Sequence, residues 1–173
     1  MIIGNGDIAN VLPNRNDLLF FASGVSNSNE IRESEYQREK DLLMQQNKDQ
    51  HIVYFSSLAA LNGHTRYLRH KVEMEELIKN NFKRYTIVRL GNISWGSNPY
   101  TFLNFIRNKI KNNESFEIKD EYRYIVDKDE FLFWVNKIPF ISRNVEMSVI
   151  GKRMKVKDII DEYGYIGFYN KKE

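Results

Sequence analysis

The stretch Val53-Tyr-Phe-Ser-Ser-Leu-Ala-Ala60, then Tyr67-Leu-Arg-His-Lys71, then Tyr85-Thr-Ile-Val-Arg-Leu-Gly-Asn-Ile-Ser-Trp-Gly96, sets the expectation for the whole chain. His51 to Ser57 and Tyr85 to Leu90 are short apolar runs without strict alternation, as expected of strands covered on both faces. The β-branched content of the second run favours a strand further. Between them, Thr65 to Asn80 is patterned as a helix. Strand, helix and strand in that order form the repeating unit of a parallel α/β sheet.

The same alternation continues outward. On the N-terminal side, Asp17-Leu-Leu-Phe-Phe-Ala-Ser23 reads as another doubly covered strand, Gly24 to Asn29 as a loop, and Glu30 to about Gln46 as a charged helix. Met1 to Ile3 is a first short strand that ends in Gly4-Asn5-Gly6-Asp7-Ile8-Ala9; a helix starting there runs only to about Leu12, because Pro13 stops it. On the C-terminal side, Gly91 to Tyr100 is loop and Thr101 to Lys111 helix. Tyr122 to Val126 is a short strand, with Asp127 placed to cap a helix that ends near Lys137. A strand near Val145 to Ile150 and a helix near Val156 to Tyr163 follow. The chain contains no internal repeat, low-complexity tract or linker.

Composition narrows the function classes. At 173 residues the chain matches one domain able to bury roughly two-thirds of its unfolded surface. With 26 basic and 23 acidic residues interspersed, no run is dense enough for a nucleic-acid arm. The absence of cysteine excludes disulfides, thiolate nucleophiles and cysteine-ligated zinc, and three scattered histidines make a metal site an unattractive reading. No span approaches the ~20 apolar residues of a bilayer crossing, and Met1 onward has no basic leader, so the expectation is a cytoplasmic protein.

Two groups of residues can carry chemistry. Gly4-Asn5-Gly6-Asp7-Ile8-Ala9 fits the G-x-G-x-x-G/A turn between a strand and a helix, where absent side chains let a pyrophosphate approach backbone amides; a plain turn is the competing reading. Tyr67 and Lys71, four residues apart, share a helix face, so hydroxyl and ammonium can converge. A cation near a phenol favours the phenolate and makes the tyrosine a better acid or base near neutral pH. Taken alone, such a pair is more often a solvated helix face.

Together the three blocks resemble, in order and spacing, the central part of the extended short-chain dehydrogenase/reductases of the nucleotide-sugar epimerase/dehydratase branch. In that family a strand ends in a serine pair, a helix carries tyrosine and lysine, and the next strand leads into an arginine, an asparagine and a glycine. Asp17 to Ser26 resembles the family's fourth strand and the loop along the cofactor, and Tyr122 to Asp129 a late strand-to-helix step, so nearly the whole chain is covered. The resemblance implies an NAD or NADP cofactor held by Gly4, Gly6, Asp7, Ile8, Ala22, Ser23, Gly24, Ser56, Lys71, Leu90 and Asn92. It implies Tyr67 as catalytic acid/base, Lys71 as its tuning partner and Ser57 as the group holding the substrate oxygen. Asn92, Trp95 and Arg123 join Ser57 on the substrate side, although each of the last two has a structural reading as well. A nucleotide sugar is the implied substrate, by epimerisation, dehydration or reduction in polysaccharide biosynthesis.

One departure is large. Only Asn10 to Asn16 separate the glycine turn from the strand that resembles the family's fourth, where the family has two more strands with their helices. The expected fold is therefore a shortened Rossmann-like parallel sheet of about five strands lacking the second and third. It comprises one domain over 1–173, with a nucleotide-binding core over 1–90 and a substrate-side region over 91–173. The missing strands carry the adenosine side of the cofactor site, so NAD and NADP are not distinguished and retention of cofactor binding stays open. The first strand becomes a sheet edge, and a homodimer or higher homo-oligomer is expected to cover residues 1 to 20. The alternative to an enzyme is a non-catalytic relative kept as a nucleotide-sugar binding or assembly module.

Overall fold

The structure, a computed structural model, describes residues 1–138 and 143–164. In chain order the elements are β1 (Ile2–Ile3), a 3-10 turn (Ala9–Val11), β2 (Leu18–Phe21), α1 (Glu33–Met44) and β3 (His51–Ser57). A second 3-10 turn (Leu58–Leu61), α2 (Arg66–Asn81), β4 (Tyr85–Leu90), β5 (Asn92–Ile93) and α3 (Phe102–Lys111) come next. β6 (Tyr122–Val126), α4 (Lys128–Lys137), β7 (Val145–Val149), β8 (Lys152–Lys155) and α5 (Val156–Tyr163) complete the order.

Five strands form one all-parallel sheet in the order β1-β2-β3-β4-β7. Both faces are covered, which explains why β2 shows no alternation. Leu18 and Phe20 pack on one side with Val53, Phe55, Val88 and the α4 residues Phe131 and Val135. Leu19 and Phe21 pack on the other with Ile52, Tyr54, Leu43 of α1 and Met74 and Ile78 of α2. This is a Rossmann-like α/β fold. β1 pairs only with β2, through Ile2 opposite Phe20 and Ile3 opposite Phe21, and among the described residues no strand lies beyond it.

Several boundaries differ from the sequence reading for local reasons. The helix expected up to Leu12 is a single 3-10 turn, closed by the Val11 amide on the Ile8 carbonyl at 3.2 Å and the Leu12 amide on the Ala9 carbonyl at 3.3 Å. The helix expected from Glu30 begins at Glu33, because the Glu30 carboxylate accepts from the Ile31 and Arg32 amides and Arg32 is held in an extended conformation. Tyr122–Val126 joins a separate three-stranded sheet, β5-β6-β8, with β5 parallel and β8 antiparallel to it. Asp127 stands at the start of α4 but makes no side-chain cap; its Oδ1 accepts from the Ser94 hydroxyl at 2.6 Å and ties the loop after β5 to the helix.

Candidate active site

In a parallel sheet, loops at the carboxyl ends of neighbouring strands open toward the same crevice. Here those ends are Asn5 to Ile8 after β1, with Gly4 behind them outside the lining, Ala22 to Gly24 after β2, Ser56 and Ser57 closing β3, and Leu90 to Asn92 after β4. Apart from Gly4, they line a single cleft of about 1240 Å³ with Tyr67 and Lys71 from α2 and Arg123 from β6.

The glycine turn is shaped by close approach. Gly4 has φ of +126°, and a Cβ there would lie 2.4 Å from the Ala22 carbonyl oxygen, so only glycine lets the turn sit against the end of β2. Above Gly6 the space is open, with nothing within 4 Å of a Cβ position. Among the described residues no acceptor engages the backbone N–H of Gly6, Asp7 or Ile8, which leaves three successive donors unpaired on residues that line the cleft, a set suited to a phosphate.

Asp7 has a second duty. Its carboxylate accepts from the Ser97 amide at 2.9 Å and the Asn98 amide at 3.0 Å, pinning the loop after β5 across the mouth of the turn. Asp7→Ala will leave both amides without an acceptor. It is expected to cost about 1–3 kcal/mol and to speed hydrogen exchange across 96–99, read by mass spectrometry.

Tyr67 lies at the cleft, half-buried, with the Lys71 ammonium 5.6 Å from its ring centre. Lys71 is only 4 % exposed, and its ammonium donates to the Tyr54 hydroxyl at 3.1 Å and to Glu39 Oε1 at 3.4 Å. Glu39, 0 % exposed on α1, also accepts from the Val25 amide (2.8 Å), the Tyr54 hydroxyl (3.1 Å) and the His70 imidazole (2.9 Å), whose Nε2 therefore carries the proton. Burial alone would raise the Glu39 carboxyl, but the Lys71 charge and the His70 and Val25 hydrogen bonds outweigh it and hold it at about 2. Burial would likewise strip the Lys71 proton, yet the Glu39 carboxylate keeps the ammonium well above its usual range. The same burial pushes the Tyr54 phenol well up. Gly24 seals the group: a Cβ there would meet the Lys71 nitrogen at 2.7 Å and Glu39 Oε1 at 3.0 Å.

The two serines differ. Ser57 Oγ accepts from the Ala59 amide at 3.3 Å, capping the turn that follows and leaving its O–H free to donate into the cleft. Ser56 Oγ is buried without a partner, an orphan hydroxyl on the cleft wall. Asn92 donates to the Tyr124 carbonyl and joins β5 to β6. Arg123 pairs with Glu121 while its guanidinium lies 4.3 Å over the Phe102 ring.

Trp95 takes a place other than the substrate side expected of it. Its indole donates to the Asp7 carbonyl at 3.1 Å and its ring lies tilted against Phe131, centroids 5.2 Å apart, on the core and outside the cleft lining. A large ring with one donor is stabilised there by both contacts, so it supports the turn from behind. Glu39, Tyr54 and His70 went unread as site residues. The available signal was positional: Tyr36, Glu39 and Leu43 occupy one i, i+3, i+7 stripe, and Glu39 fills a slot that an apolar side chain normally takes.

With the geometry in place, similarity to known proteins is informative. No family model matches the sequence, and no curated protein matches it. Among solved structures the fold matches that of two proteins bound to NAD or NADPH and of a UDP-N-acetylglucosamine 4-epimerase. The chain superposes on the Bordetella bronchiseptica enzyme WbmG in complex with NAD, with a TM-score of 0.62 and 14% identity over 88% of this chain and 57% of that one. It superposes on RMD from Pseudomonas aeruginosa complexed with NADPH at 0.66 and 16%, over 84% and 64%. A UDP-N-acetylglucosamine 4-epimerase from Methanobrevibacter ruminantium in complex with UDP-N-acetylmuramic acid gives 0.61 and 15%, over 84% and 58%. The chain thus spans less than two thirds of each of these structures, and the fold is a shortened form of theirs. No helix among the described residues is long and apolar enough to cross a membrane.

Proposed function

We propose that the chain binds a nicotinamide cofactor and acts on a nucleotide-linked sugar, as an epimerase, dehydratase or reductase, with Tyr67 moving the proton. The observation carrying this reading is convergence: Tyr67 and Lys71 of α2, Ser57 at the end of β3 and the glycine turn, from three separate segments, border one cleft. The residues suit a cofactor at one end. The free amides of Gly6 to Ile8 would hold a phosphate, and Lys71 lies on the wall where a ribose hydroxyl would reach it. When bound, the nicotinamide supplies hydride exchange. The rest belongs to the chain: the Ser57 hydroxyl orients the substrate oxygen, and the Tyr67 phenol gives or takes its proton. Arg123 suits an anionic or aromatic part of the nucleotide at the far end. The cytoplasmic setting and self-association through the β1 edge remain part of this proposal.

Calorimetric titration with NADH and with NADPH tests it: binding of at least one is expected, and no heat at millimolar concentration of either defeats it. A second reading, a non-catalytic nucleotide-sugar binding or assembly module, is favoured by one observation. The Lys71 ammonium is already engaged by Glu39 and Tyr54, so it has fewer donors to offer than a free lysine.

A further inference from the structure

A dinucleotide in a doubly wound sheet is shared between two mononucleotide halves that meet where the strand order reverses. Among the described residues one half is complete and the other has no strands. The sheet runs from β1 in one direction only, through β2, β3, β4 and β7, and residues 10–16 lead directly from the turn into β2. The acidic residue that reads the adenosine ribose normally follows the glycine turn by about 20 residues, at the end of the next strand outward from the first. At that distance this chain is at Ala22 to Gly24, without a carboxylate and on the same side of the crevice as Lys71.

What borders the cleft toward the open edge is sparse. Asn5 and Asn10 line it there, and the Asn10 amide group is spent on the Asn5 carbonyl at 3.3 Å. Arg38 of α1 also lines it, but its guanidinium bonds Glu35 at 3.2 Å and its side chain is 46% exposed. The adjoining groove along α1, about 590 Å³, is lined by Ser34, Gln37, the same Arg38, Asp41 and Gln45 beside Leu42, none of which offers an aromatic ring for a base to stack on.

Resting on the function proposed above, we infer that this cleft reads only a nicotinamide mononucleotide unit: the turn amides take the phosphate, the Lys71 wall takes the ribose, and an attached adenosine projects unread past Asn5 and Asn10. The cleft is then blind to the ribose 2′ substituent as well.

The test is a fluorescence titration of the full chain with reduced nicotinamide mononucleotide, NADH and NADPH at one ionic strength. The three dissociation constants are expected to agree within about tenfold, the discrimination of a single good contact. NADH binding tighter than the mononucleotide by more than that factor overturns the inference while leaving the proposed function standing. A larger preference for NADPH that disappears in Arg38→Gln also overturns it, by assigning the 2′-phosphate to Arg38. If none of the three binds, the proposed function fails and this inference with it.

Discussion

Glu39→Gln is expected to lower the unfolding free energy at neutral pH by about 3–5 kcal/mol, the cost of leaving a buried ammonium without its counter-charge. For a chain of this length that corresponds to a fall of roughly 10 °C in melting temperature. The amide can still accept from Val25, but it offers neither Lys71 nor His70 a carboxylate. The pH dependence gives a second signature. The Glu39 carboxyl is held at about 2 against an ordinary 4.5. A depressed folded-state value means that its contribution is complete above pH 4.5 and is lost as pH falls from there toward 2. About 3 kcal/mol is at stake over that window. Urea unfolding at pH 7 and pH 3 should therefore show wild type losing more stability on acidification than Glu39→Gln. Equal losses would mean that the carboxylate does not compensate Lys71.

Tyr67→Phe is expected to reduce turnover of a nucleotide-sugar substrate by about 10²–10⁴-fold, the contribution of a positioned acid or base. The phenyl ring keeps the shape of the cleft wall, and the change removes only the proton-carrying oxygen. Cofactor affinity should move little, because the turn amides and Lys71 are untouched. A split of that kind, with turnover lost and binding retained, separates a catalytic phenol from a packing one. Turnover within about threefold of wild type would remove Tyr67 from the chemistry, and parallel loss of cofactor binding would assign it a structural role.

Much of the main sheet was legible because its strands are buried on both faces, which writes continuous apolar runs such as Leu18 to Phe21 and Ile52 to Phe55 into the sequence. The second sheet was not. β5 has two residues and β8 reads Lys-Arg-Met-Lys, with only Met154 buried, so neither gives an apolar signal; pairing with β6 creates them. The site was legible to the extent that it uses local geometry: a glycine turn and a four-residue spacing on one helix. Glu39 was invisible for the opposite reason. It lies 32 positions before Lys71, and only the packing of α1 beside α2 brings carboxylate and ammonium together. Trp95 had two readings, because an aromatic residue in a loop next to a site fits a ligand and a core equally well; in the structure it meets the Asp7 carbonyl and the Phe131 ring.

The claim beneath all of this is that one groove joins the glycine turn to the Tyr67 and Lys71 pair. Crystals of the chain soaked with NADH test it most directly. The account predicts density with the phosphates over Gly6 to Ile8 and the nicotinamide ring beside Tyr67. Ligand lodged elsewhere, or a Tyr67 ring turned away from the bound molecule, would contradict it.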